Sequence, residues 1–235
     1  MTEKNLVVET GMNQTQLLKT VMIRLILAII LLGAAFFIPA GTLGYWEAWV
    51  YMAVTIIPAT ITMLYLLRTA PDLLERRMRM REKKSEQKLI VFLTFPLFIA
   101  AFVLPGLGQR FGWTEIPATI IIIADLMVLL GYLFFIRVLL ENRYASRVIE
   151  VEQKQKVITT GPYAVVRHPM YVSVLLIYTF SPVALGSLWG LIPMAFLTLL
   201  IIARIRNEEK VLSQELEGYR EYMQKTKYRL IPGLW

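Results

Sequence analysis

Residues 171–205 read YVSVLLIYTFSPVALGSLWGLIPMAFLTLLIIARI, and no charge interrupts them before Arg204. A membrane-crossing helix needs about 20 apolar residues, so this run is too long for one span. Ser181-Pro182 and Gly186-Ser187 lie in its middle and supply a turn. The stretch therefore predicts two membrane helices folded into a hairpin. Upstream, four more apolar runs of span length occur at 21–39, 45–67, 88–105 and 116–140. The expected fold is all-α: a polytopic membrane bundle of about six transmembrane helices. Leu212, Leu216, Tyr219 and Tyr222 recur at helical spacing beyond the hairpin and predict a C-terminal amphipathic helix outside the membrane, slightly weakened by Gly218.

Composition agrees with this reading. The chain is 57% hydrophobic and 18% charged, with a mean hydropathy of +0.57, too apolar for a soluble domain of its size. The basic residues behind the net charge of +8 crowd into alternate loops. Arg68, Arg76, Arg77, Arg79, Arg81, Lys83, Lys84 and Lys88 crowd one; Arg143, Arg147, Lys154, Lys156 and Arg167 lie in another; a third group runs from Arg204 to Arg229. The intervening loops hold Arg110 alone. Six spans with both termini cytoplasmic place every basic loop inside. The charge is thus a topology signal with attraction to anionic lipid, and no nucleic-acid partner is expected. Glu3 and Glu9 precede the first run and no small-residue cleavage site follows it, so 21–39 reads as a retained span.

No repeat or flexible linker divides the chain. Residues 1–140 form four spans with the basic loop 68–88, and residues 141–235 carry the features that could do chemistry. Within the loop, Leu73, Leu74, Met78 and Met80 have helical spacing, which suggests a helix in the headgroup region; a lid over a cytoplasmic site is the other reading. Without cysteine and with His168 as the sole histidine, neither a thiolate site nor a metal centre is expected. The glycine-rich segment 106–112 has the wrong spacing for a nucleotide-binding turn and reads as a loop between spans. Gly186 and Gly190 read as aids to close helix packing at the hairpin. Asp125, inside the fourth span, suggests a structural hydrogen bond or part of an acceptor pocket.

One local signature is more specific. Gly161-Pro162-Tyr163-Ala164-Val165-Val166-Arg167-His168-Pro169-Met170-Tyr171 leads into the hairpin, which ends in Arg204-Ile205-Arg206-Asn207-Glu208-Glu209. The Tyr219/Tyr222 pair and Arg229-Leu230-Ile231-Pro232 follow. Proline favours a first helical turn and disfavours helix in the residue before it, so a helix should begin at about Pro169 with His168 just outside. Arg204 and Glu208, four apart, share one face; Glu209 points about 100° away.

Over roughly the last third of the chain this pattern resembles the isoprenylcysteine carboxyl methyltransferase family and its phospholipid methyltransferase relatives. The resemblance implies S-adenosylmethionine as methyl donor, with Tyr163, His168, Pro169, Met170, Tyr171 and Glu208 as cofactor contacts. By position it adds Gln155, Lys156, Val157 and Ile158. It implies Arg204 as the residue holding an acceptor carboxylate, with Arg204 and Glu208 as the catalytic pair. The interval from Glu208 to Tyr219 is one residue shorter than in enzymes acting on prenylated protein. Tyrosine faces suit a sulfonium through cation–π attraction, and backbone N–H groups from Met170 onward suit a carboxylate. The implied activity is O-methylation of a carboxylate on a lipid-like or prenylated acceptor entering from the bilayer. The rival readings are phospholipid amine N-methylation, an NADPH-dependent membrane reductase, and a non-enzymatic membrane protein.

Overall fold

The structure, a computed structural model, describes residues 13–78, 85–145, 151 and 155–235, without the side chains of Ser85 and Glu86. Arg79, Met80, Arg81, Lys83, Lys84, Arg147 and Lys154 lie outside the described residues, as do Glu3 and Glu9. The described chain is helical: α1 (Gln14–Ala40), α2 (Trp46–Thr69), α3 (Pro71–Met78), α4 (Ser85–Phe111), α5 (Ala118–Glu141), a 3-10 turn at Gly161–Ala164, α6 (Pro169–Ala184), α7 (Leu191–Glu215) and α8 (Tyr219–Lys225). Helices α1, α2, α4 and α5 are each long and apolar enough to cross a membrane. The hairpin supplies two more apolar helices, α6 and the first half of α7, which accords with about six spans.

The turn of the hairpin falls where Gly186-Ser187 predicts it, but Ser181-Pro182 does not break the chain. Both residues remain inside α6, whose last turn accommodates the proline. Gly186 turns the chain at a φ of 68°, while a Cβ at Gly190 would meet the Pro182 ring at 2.8 Å. The glycine pair thus makes the turn as well as the close packing.

Two further expectations are corrected. Residues 106–111 are the last turns of α4, not a loop. A Cβ at Gly106 would lie 2.6 Å from the Phe36 carbonyl, so the glycine lets α4 run directly against α1. The C-terminal amphipathic helix is two pieces: α7 continues to Glu215, the chain breaks at Gly218 in a left-handed conformation (φ 80°), and α8 follows. Gly218 does more than weaken a continuous helix: it is the N-cap of α8, in a left-handed backbone that only glycine takes without strain.

The bundle core is centred on Phe36, Tyr51 and Phe102, packed edge-on or tilted against one another. A second cluster sits toward the basic loops: Leu73, Leu74 and Met78 of α3 pack on Leu17 and Val21 of α1, Leu66 of α2 and Leu139 of α5. Arg24 donates to the Met78 carbonyl at 2.6 Å and so anchors α3 to α1.

Candidate functional site

The site begins with a proline. Pro169 has no N–H to lose at the first position of α6, and its ring presets the helical φ. His168 is left outside the helix at φ −124° and ψ 59°, with its side chain buried beside α7. The Tyr171 and Val172 N–H groups both turn back to the His168 carbonyl, at 3.1 and 3.3 Å. That narrows the anion-binding donors expected at this helix start to the N–H of Met170.

Tyr171, in the first turn of α6, faces α7. Its hydroxyl donates to Glu208 Oε2 at 2.7 Å and accepts from Arg204 Nε at 3.0 Å. One phenol therefore joins the guanidinium and the carboxylate that helical spacing placed on one face. The 3-10 turn brings Tyr163 to the same region. Asn142, just after α5, donates to its hydroxyl at 3.0 Å, and the Tyr222 hydroxyl donates to its carbonyl at 2.7 Å. Burial pushes the Tyr163 phenol up to about 12, against the hydrogen bond from Asn142, so it stays a neutral donor and acceptor.

These groups surround a cavity of about 400 Å³, within the range of small-molecule sites. Gln155, Lys156, Val157, Ile158, Tyr163, His168, Met170, Tyr171, Arg204 and Glu208 all line it. Pro169 does not; it is buried and acts through the backbone it shapes. Tyr219 and Tyr222 close one wall, packed on each other and on Tyr163. Toward the membrane the walls are Val91 and Thr94 of α4, Phe135 of α5, Val174 and Tyr178 of α6, and Leu197 and Leu200 of α7. The cavity is polar at the end nearest the basic loops and mainly apolar among the spans.

Sequence reasoning missed several members. Arg77 of α3 lines the cavity, with its guanidinium 5.2 Å from the Phe135 ring centre. Nothing in the sequence separates it from the other arginines of that loop. Asn142 stood out no better. Asp125 is buried on α5, but neither carboxylate oxygen has a hydrogen-bond partner among the described residues and it does not line the cavity. Arg137 pairs with Glu141 at 2.6 Å.

The larger surprise is Glu209. It does point away from Glu208, yet it is buried and accepts from Arg167 Nε at 2.6 Å and Arg229 Nε at 2.7 Å, with His168 Nε2 at 3.3 Å. Desolvation is the largest single influence on this carboxyl and raises it; the hydrogen bonds from His168, Arg167 and Arg229 together outweigh it and hold Glu209 at about 2. Arg167 also donates to the Thr226 and Lys227 carbonyls at 2.8 Å, and the Arg167 and His168 N–H groups bond to Tyr228 and Arg229 at 2.9 Å. The segment after α8 is thereby strapped onto the turn that carries His168.

Residues 119–217, from α5 to the break before α8, match the phospholipid methyltransferase family, one of the families of integral membrane methyltransferases. No curated protein matches the chain.

Proposed function

We propose that this chain, whose residues 119–217 match the phospholipid methyltransferase family, methylates a carboxylate on a lipophilic acceptor with S-adenosylmethionine. The observation that carries this reading is the hydrogen-bonded row Arg204–Tyr171–Glu208, set at the polar end of a cavity whose other walls are bundle helices. The residues present fit the donor. Glu208 is an anion for its ammonium, the Met170 N–H suits its carboxylate, and the faces of Tyr163, Tyr171, Tyr219 and Tyr222 suit a sulfonium. The Tyr219 hydroxyl is buried at the cavity wall with no partner among the described residues, so a donor group is still available there. S-adenosylmethionine supplies, when bound, an electrophilic methyl group on sulfur.

A carboxylate is already ionised at pH 7 and needs no base. Methyl transfer to it from a bound sulfonium would leave the electron pair on sulfur and would require no proton transfer. The chain's task is then positioning and exclusion of water. Arg204 orients the acceptor through its planar fork, Tyr171 sets the distance between acceptor and donor ends, and Leu212, Leu216 and Ile158 keep the polar end dry. The acceptor's apolar tail lies among Val174, Leu197 and Leu200.

A second reading, N-methylation of a phospholipid amine, is favoured by the family that residues 119–217 match. That reaction releases a proton and requires a base. Glu208 is the candidate, because Glu209 is occupied by Arg167 and Arg229.

Calorimetric titration should show S-adenosylhomocysteine binding to the purified protein. Heat from NADPH with none from S-adenosylhomocysteine would favour a reductase and overturn the proposal. Glu208→Gln and Tyr171→Ala should each weaken S-adenosylhomocysteine several-fold or more, since a buried charge-assisted bond is worth about 1–3 kcal/mol. Wild-type affinity in both folded variants would remove these residues from the donor site. The accompanying topology has both termini cytoplasmic: reporters fused after Gly41, Ser85, Gly112, Gln153, Ser187 and Trp235 should alternate outside and inside in that order. A cytoplasmic signal at Ser187 would contradict the spanning hairpin. Gln153 lies outside the described residues.

A further inference from the structure

The strap after α8 has an apolar outer surface that the bundle does not cover. Ile231 is 52% exposed and Leu234 76%, and Val165, just after the 3-10 turn, is 58% exposed. Val165 borders a second, apolar cavity of about 450 Å³, whose other walls include Phe134, Pro162, Val172, Leu230 and Pro232. Phe134 belongs to α5, a helix apolar and long enough to span, on which the neighbouring Leu130 and Leu133 are also exposed. The groove is therefore continuous with a surface that faces lipid. Exposed Lys225 and Lys227 precede Leu230 and Pro232 in the chain.

We propose that residues 228–235, together with Val165, anchor the chain in the membrane interface. The groove seats an acyl chain of the adjoining leaflet, and Lys225 and Lys227 meet anionic headgroups. Exposed apolar loops flanked by lysines suit this depth, where the apolar groups enter the acyl boundary and the ammonium groups reach the headgroups.

The anchor is joined to the candidate site by short links. The Arg229, Leu230 and Ile231 N–H groups all bond to the Trp235 carbonyl, at 2.9, 3.0 and 3.2 Å, which closes the loop on itself. The Arg229 guanidinium lies 5.2 Å from the Trp235 ring centre and donates to Glu209, which contacts His168. Seating the loop in lipid holds Arg229 on Glu209 and fixes the His168 ring against the cavity. Arg229 and Glu209 are positioning residues in this arrangement.

Two measurements test it, and neither depends on methyl transfer. The chain has no cysteine, so Leu234→Cys and Lys225→Cys each accept a single nitroxide. In vesicles of phosphatidylcholine with phosphatidylglycerol, the label at 234 should relax more with oxygen than with an aqueous nickel chelate, and the label at 225 the reverse. Equal aqueous exposure at both positions overturns the anchor. Spin–spin broadening between copies at 234 assigns the groove to a second protein chain and overturns it as well. His168 is the only histidine, so its imidazole gives one NMR signal in a nanodisc of the same lipids. Leu234→Glu should shift or broaden that signal and Leu234→Phe should preserve it. An unchanged signal in the glutamate variant refutes the coupling to His168. Failure to bind S-adenosylhomocysteine would count against the methyltransferase proposal and leave both readouts intact.

Discussion

Glu209→Ala should destabilise the protein by about 3–5 kcal/mol, the cost of removing one partner from a buried ion pair. Arg167 is buried as deeply as the carboxylate it would lose, and no other carboxylate contacts it among the described residues. Removing both would be gentler, so Arg167→Met with Glu209→Leu should cost less than the single alanine change. Thermal unfolding in detergent, followed by circular dichroism, measures both variants. A loss below about 1 kcal/mol for Glu209→Ala would mean the network is solvated and not structural.

The same group makes stability depend on pH with a defined sign. Its folded value of about 2 lies below its ordinary 4.5. The stabilisation is therefore fully present above about 4.5 and is lost as pH falls toward 2. The interval corresponds to about 3 kcal/mol. Glu209→Gln should flatten the acid limb of the stability curve within that window. An acid limb unchanged in the glutamine variant would assign the loss to other carboxylates.

Arg204→Lys is expected to lower methyl transfer about ten-fold or more while S-adenosylhomocysteine binds nearly normally. Lysine keeps the charge but loses both the planar fork and the Nε that donates to Tyr171. An acceptor carboxylate held by one flexible ammonium wanders by about 1 Å, enough to spoil in-line transfer. Tyr171 keeps its bond to Glu208, which is why the donor end should survive. Equal loss of binding and turnover would move Arg204 into the donor site. Full activity would point to an acceptor without an anionic group and favour the amine reading.

The outline of the fold was legible because membrane helices are written in local terms. Apolar length and a Pro/Gly interruption need no knowledge of neighbours, so the runs at 21–39, 45–67, 88–105 and 116–140 correspond to α1, α2, α4 and α5, and the hairpin turns at Gly186. The start of α6 at Pro169 and the shared face of Arg204 and Glu208 were equally local, one set by a ring and the other by helical pitch. What failed was whatever depended on a partner from elsewhere. Whether glycines at 106–111 make a loop or a helix was decided by the Phe36 carbonyl on α1. Which side of α7 is solvent was decided by the strap from residues 226–229, so Glu209, polar and off the cavity face, became a buried hub. Arg77 entered the cavity because α3 folds back under the bundle, held by Arg24 and three apolar side chains. Periodicity and chain chemistry therefore determined the helices and picked out most of the polar residues that line the cavity. Their partners were decided by tertiary structure alone, since burial and ion pairing depend on which distant segments meet.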